Sequence, residues 1–249
     1  MKIVVIGGNG LIGAKLVGRL KDRGHDVIAA SPRTGVNAVT GEGLDEALKG
    51  ANVVIDVSNA PSFEDQAAME FFQNSARNIA AIEIAEGIHH HIALSVVGTD
   101  GLQESGYFRA KLVQETLIKS SGVPYTIVRA TQFFEFLDSI VSFSFVENAI
   151  RLPAAAFQPI AAGDVAAALE EVVLGEPVNG TVEIAGPDRG TLIGIVESYL
   201  RTTGDTRSIV TDPNAPYFGV SIDEFSLVPG RGARLQPTTL QQWLQKSSH

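Results

Sequence analysis

The chain has no cysteine, so disulfides and thiolate metal sites are excluded. No apolar run approaches the roughly 18–20 residues that a membrane-spanning helix requires. Positive charge is scarce: 19 Lys and Arg stand against 28 Asp and Glu, giving a formal net charge of −9. A nucleic-acid partner calls for a basic face, so neither nucleic acid nor membrane is expected as a partner. The first apolar strand begins almost at Met1, so no leader segment is expected, and the expected location is cytoplasmic. There is no internal repeat and no linker. What remains is a chain of 249 residues, 45% hydrophobic, which is enough to bury one sizeable core.

Residues 3–13 carry the strongest local signal. Ile3, Val4, Val5 and Ile6 form an apolar run of the kind buried on both faces of a parallel sheet. Four glycines then fall within seven positions, at Gly7, Gly8, Gly10 and Gly13, with Asn9, Leu11 and Ile12 between them. An apolar-periodic helix pattern continues from Ala14 to Leu20. Strand, glycine turn and helix in this order form a cradle for the pyrophosphate of a dinucleotide. The free N–H groups and the dipole at the helix start face the anion.

The rest of the first half alternates strand and helix patterns. Strands are expected at 26–30, 35–39, 53–57, 91–95 and 125–129. Helices are expected at 43–49, 64–86 and 107–120. Such a succession predicts an α/β fold of the Rossmann type, a doubly wound parallel sheet covered on both faces. Beyond residue 130 the rhythm loosens. A phenylalanine-rich helix is expected at 133–145, further helices at 164–174 and 191–201, and a strand at 181–185. Residues 204–237 read as irregular. The chain is therefore expected to be a single domain over 1–249, with 131–249 contributing a small C-terminal substrate lobe. The long helix at 64–86 offers a surface for a homodimer.

The end of the second strand distinguishes two cofactors. An NAD site places Asp or Glu there to bond the ribose 2′-hydroxyl. Here the sequence runs Ala30-Ser31-Pro32-Arg33-Thr34. A guanidinium meets a 2′-phosphate with paired charge-assisted bonds, and the Ser31 and Thr34 hydroxyls could add neutral ones. The expected cofactor is NADP(H).

Tyr107 and Lys111 lie four apart at a predicted helix start, on one face. A phenol is a poor proton catalyst at neutral pH unless a neighbouring ammonium lowers its pKa. Ser95 closes an apolar strand, on the rim where parallel sheets bind ligands, and could orient a substrate oxygen. Asn59 ends another strand on the same rim and would border the cofactor. Gln132 and Phe133 follow the fifth clear strand and are expected to touch substrate. His89, His90 and His91 are consecutive. Strand neighbours alternate faces, so a solvated junction is expected there rather than a metal site. Glu170 and Glu171 read as a solvated helix face.

With these segments in view, the chain resembles an atypical short-chain dehydrogenase/reductase of the NmrA-like, NAD(P)-binding branch. The resemblance rests on GGNGLIG, SNAP, LSVVG, YFRAKLVQE and SGVPYTIVRATQFFEFL, and covers the first half best. It implies Ser95, Tyr107 and Lys111 as a Ser–Tyr–Lys set, with Lys111 also holding the nicotinamide ribose. It implies Gly7, Gly10 and Gly13 as the cofactor turn and Arg33 as the 2′-phosphate group. The implied activity is reduction of a carbonyl or quinone-like small molecule with NADP(H). Some members of the branch serve instead as nucleotide sensors without turnover.

Overall fold

A computed structural model describes residues 1–247. The first half forms β1 (Lys2–Ile6), α1 (Leu11–Asp22), β2 (Asp26–Ala30), α2 (Leu44–Leu48), β3 (Val53–Asp56), α3 (Asp65–Glu86), β4 (His90–Val96), α4 (Gly106–Ser120) and β5 (Tyr125–Ala130). The second half adds α5 (Leu137–Phe143), β6 (Phe145–Val146), β7 (Ala149–Leu152), β8 (Ala156–Phe157), α6 (Ala162–Leu174) and β9 (Gly180–Ala185). It ends with β10 (Gly190–Thr191), α7 (Leu192–Thr203), β11 (Ser208–Thr211), β12 (Arg234–Leu235) and α8 (Leu240–Ser247). The main sheet has seven strands in the order β12-β9-β5-β4-β3-β1-β2. β1 pairs in parallel with both β2 and β3, and β3 pairs in parallel with β4. This is the Rossmann arrangement expected from the strand–helix alternation.

The chain divides into two compact units. The first comprises Met1–Arg129 and Val165–Val182. Its interior is built from apolar strands facing helices, with Val4, Ile6, Val54, Leu44, Leu48 and Ile79 in one cluster. The second comprises Ala130–Asp164 and the chain from Glu183 onward. It has its own core, in which Phe134, Leu137, Ile140, Ile150, Phe157, Leu192 and Val196 are buried together.

Three expectations are corrected. No strand forms over residues 35–39. A short 3-10 turn over Pro32–Thr34 precedes them and ends at left-handed Gly35. The Asn37 Oδ1 then accepts the Val39 and Thr40 amides, so the backbone bonds a strand would use are satisfied within a loop. Val36 and Ala38 still bury their side chains, which explains the misleading apolar pattern. The expected helix over 133–145 is a 3-10 turn at Phe134–Phe136 followed by α5, and it stops at Phe143. Glu147 and Asn148 both take positive φ, 51° and 67°. They form the two-residue turn of a hairpin that pairs Val146 with Ala149 and Phe145 with Ile150. Within 204–237, β11 pairs with β7 and β12 with β9.

Candidate functional site: the glycine turn and the Asn59–Tyr107 rim

Each glycine of the first turn answers a different demand. Gly7 has φ of 79°, and a Cβ there would lie 2.8 Å from the Ser58 backbone N. A Cβ on Gly13 would come within 2.2 Å of the Gly7 carbonyl oxygen, so α1 can pack onto the turn only without a side chain at this position. Gly8 is closed in by Val5 and Ala29 in the same way. Gly10 is different: only the Gly7 oxygen, at 3.3 Å, lies near its missing Cβ. Gly10 caps α1, whose first turn has no side-chain cap and no acidic residue. An exposed start of a twelve-residue helix, capped by a glycine that puts no side chain over it, suits a phosphate group. Leu11 is exposed beside this start, and Ile12 is buried beneath it.

A cleft of about 320 Å³ opens beside the turn, lined by Asn9, Gly10, Ser31, Pro32 and Arg33. The Ser31 hydroxyl donates to Asn9 Oδ1 at 2.7 Å. Thr34 Oγ1 accepts the Ser31 amide and donates to backbone oxygen in the same turn. Both hydroxyls are thus used in shaping the loop. Arg33 is exposed, and no hydrogen bond or ion pair engages its guanidinium among the described residues. These features fit the phosphates of a dinucleotide, with Arg33 the group free to meet one.

β3 delivers the next element of the rim. Ser58 abuts Gly7, and its neighbour Asn59 accepts the Tyr107 hydroxyl at 3.0 Å. Tyr107 sits in the first turn of α4, and Gly106 places it there. A Cβ on Gly106 would lie 2.7 Å from the Asp65 Cα, so only glycine lets α4 begin against the start of α3. The Tyr107 ring is half-buried, with Phe63 at 5.3 Å and Phe72 at 5.8 Å between ring centroids. This apolar enclosure pushes the phenol well above its ordinary pKa. The sequence had implied the reverse, a phenol lowered by Lys111.

Lys111 explains the difference. Its side chain is only 2% exposed. The ammonium donates to the Leu94 carbonyl oxygen at 2.9 Å and to Gln114 Oε1, and stands 4.5 Å above the Phe72 ring. Burial lowers it to about 8, against the attraction of Asp56 and Glu115. Ser95 is also turned inward. Its hydroxyl donates to Glu115 Oε1 at 2.7 Å, so its proton is committed inside the protein. Glu115 also accepts two bonds from Arg129, at 2.9 and 2.7 Å, and Arg129 clamps Asp100 in the loop before α4. Burial alone would raise the Glu115 carboxyl, but the Arg129 and Ser95 hydrogen bonds outweigh it and hold the group low.

Sequence reasoning missed Asp56, Gln114, Glu115 and Arg129. Gln114 and Glu115 follow Lys111 by three and four positions, so helical spacing was the available signal. In the second unit, Gln132 is buried, and neither its Oε1 nor its Nε2 has a hydrogen-bond partner. Phe133 is half-buried and stacks on Phe136, with ring centroids 5.4 Å apart and planes within 16°. His90 and His91 are buried rather than solvated and point to opposite faces of β4, one to Thr126 at 2.8 Å and the other to Glu83 at 2.6 Å. Glu170 is likewise not on a solvated face: it is buried and accepts from Arg19 at 2.6 Å and from Arg23.

A parallel doubly wound sheet, with a glycine turn opening α1 at its rim, defines a dinucleotide-binding protein. A family model described as NAD(P)H-binding matches residues 7–174, and the chain belongs to that family. It is of the NmrA-like, atypical short-chain dehydrogenase/reductase type that its motifs resemble. Among solved structures, dTDP-4-dehydrorhamnose reductase from Bacillus anthracis str. Ames in complex with NADP aligns with a TM-score of 0.75 and 14% identity, over 100% of this chain and 99% of that one. The Bordetella bronchiseptica enzyme WbmH in complex with NAD+ aligns with a TM-score of 0.76 and 13% identity, over 98% and 95%. At these identities the likeness is one of fold. Photosystem II assembly factor Ycf39 of Cyanophora paradoxa is 27% identical over 151 residues, 55% of this chain and 47% of that protein. The chain thus spans about half the length of this curated relative. Among the described residues, no helix is long and apolar enough to cross a membrane.

Proposed function

We propose that the protein is an NADP(H)-dependent oxidoreductase that reduces a carbonyl or quinone-like small molecule, with Tyr107 as the proton donor. The observation that carries this reading is the Tyr107 hydroxyl, held on Asn59 one residue from the Ser58 backbone that touches Gly7. The α1 start and Gly10 would hold the pyrophosphate. Arg33 would meet the 2′-phosphate, held in place by the turn that Ser31 and Thr34 build. Reduced nicotinamide, when bound, supplies a hydride. As hydride reaches the carbonyl carbon, charge develops on the oxygen, and the Tyr107 O–H bond breaks as its proton passes to that oxygen. An alkoxide is a far stronger base than a phenolate, so a phenol kept protonated by burial is still a competent donor. That proton first leaves its hydrogen bond to Asn59 Oδ1, which holds the hydroxyl on the rim until substrate arrives. Lys111 and Ser95 act from the interior, holding α4 and β4 together. The test is NADPH oxidation against a panel of quinones and aldehydes, compared between the unmodified protein and Tyr107→Phe. Equal turnover by both would overturn the assignment.

A second reading is an NADP(H)-binding redox sensor without turnover. It is favoured by the inward commitment of the Ser95 proton and the Lys111 ammonium. Tight and unequal binding of NADP+ and NADPH, with no acceptor reduced across the panel, would establish it.

A further inference from the structure

A closed circuit of hydrogen bonds links the start of α4 to the glycine turn. Asp56 ends β3 and is 1% exposed. Its Oδ1 accepts the Ser58 backbone N–H at 2.9 Å and the Ser58 hydroxyl at 2.6 Å. Its Oδ2 accepts Gln114 Nε2 at 2.8 Å, and Gln114 Oε1 accepts from Lys111. Asn59, next in the chain after Ser58, accepts the Tyr107 hydroxyl. The circuit therefore leaves α4 at Gln114, passes through Asp56 to residues 58 and 59, and returns to α4 at Tyr107, two turns earlier. Gly7 lies close to the Ser58 backbone, where a Cβ on it would come within 2.8 Å.

We propose that Asp56 and Gln114 are positioning residues that fix the Asn59–Tyr107 pair against the glycine turn. The proposal rests on the reading of Tyr107 as proton donor, but the circuit can be tested without any turnover. A buried carboxylate is costly unless fully bonded, and Asp56 meets this need with three hydrogen bonds drawn from both ends of the circuit. The bonds are directional, so together they set where the 57–60 segment lies relative to α4. The Lys111 charge enters the circuit through Gln114 and faces Asp56. The charged and titratable groups that act on this interior include Asp56, Lys111, Glu115 and, facing Asp56 from β4, His91, whereas Tyr107 is faced by Phe63, Phe72, Phe108 and Asn59.

The experiment uses Gln114→Met, which keeps side-chain length but removes both hydrogen bonds. The readout is amide hydrogen exchange across residues 57–60 of the cofactor-free protein at neutral pH, followed by mass spectrometry. If the circuit fixes the pair, its loss loosens this segment, and exchange there should quicken about tenfold or more while the β1 amides keep their protection. Where an acceptor is turned over, kcat should fall about tenfold or more while KM for NADPH stays within about threefold. If Gln114→Met does not fold, Ser58→Ala removes one bond at the other end of the circuit and should quicken exchange in the same segment. Unchanged exchange in a folded variant overturns the proposal, whether or not any acceptor is reduced. Faster exchange with no turnover on any acceptor supports the circuit and counts against the reductase reading alone.

Discussion

At the scale of single residues, the proposed function rests on two exposed or half-exposed groups and a buried set behind them. Tyr107→Phe removes the transferable proton but leaves the ring packing with Phe63 and Phe72 intact. NADPH affinity should be unchanged, and turnover of any accepted carbonyl should fall about 100-fold or more, as read by steady-state kinetics. Arg33 has no internal partner, so Arg33→Ala should not alter the melting temperature. It should weaken NADPH binding about 10- to 100-fold while leaving NADH binding as it was, measured by fluorescence titration. The expectation for Arg33 came from a strand end that lacks a carboxylate as well as carrying a base, and its exposure without an internal partner leaves it free for the proposed role. The Ser95–Glu115 bond was not legible. It joins residues twenty apart, and only the packing of α4 on β4 brings them together.

Among the elements, the glycine turn and α1 separate binding from stability. Gly10→Ala places a methyl group where only the Gly7 oxygen is near, at 3.3 Å. The fold should persist, while NAD(P)H affinity drops because the methyl group occupies the approach to the helix start. Gly13→Ala drives a Cβ toward the Gly7 oxygen, at 2.2 Å without relaxation. It should destabilise the protein by ~1–3 kcal/mol, visible as a lower midpoint in urea unfolding. Equal effects of the two substitutions on stability would contradict these separate roles. The long periodic elements were readable from spacing, and β2 falls on Asp26–Ala30 as the pattern predicts. Short elements were not. The Val36 and Ala38 alternation pointed to a strand, but the chain met its backbone needs locally through Asn37. The β6–β7 hairpin depends on Glu147 and Asn148 both adopting positive φ, which no glycine announced.

For the molecule as a whole, pH bears on stability through the two buried histidines of β4, in opposite senses. His90 is lowered from 6.5 to about 4, by burial first and then by the charge of His91. The folded state keeps it neutral, so its contribution is complete above pH 6.5. That contribution is lost as pH falls toward about 4, where the unfolded chain takes up a proton that the folded chain refuses. His91 is raised: burial opposes the charged ring, but the charge and hydrogen bond of Glu83 prevail. Its contribution is complete below 6.5 and is lost as pH rises through its folded value. Below pH 6.5 and above the carboxylate range, His90 therefore sets the slope between the two. Urea unfolding across this window should show falling stability for the unmodified protein and a flatter profile for His90→Gln. Parallel profiles would show that His90 protonation is not the source.

The sequence by itself determined the alternation of strands and helices, the dinucleotide turn and the base at the end of β2. These follow from periodicity, from glycine spacing and from which charge stands at one position, all of them local properties. Tertiary structure alone decided what the chemistry-bearing side chains do. Lys111 was free, on sequence grounds, to tune Tyr107. Its burial beneath β4, with Gln114 and Asp56 in reach, commits it to the interior instead. Tyr107 gains its raised phenol from rings supplied by Phe63 and Phe72, more than thirty positions away in the chain. Desolvation and hydrogen-bond direction depend on which neighbours the fold assembles around a group, and spacing along the chain carries neither.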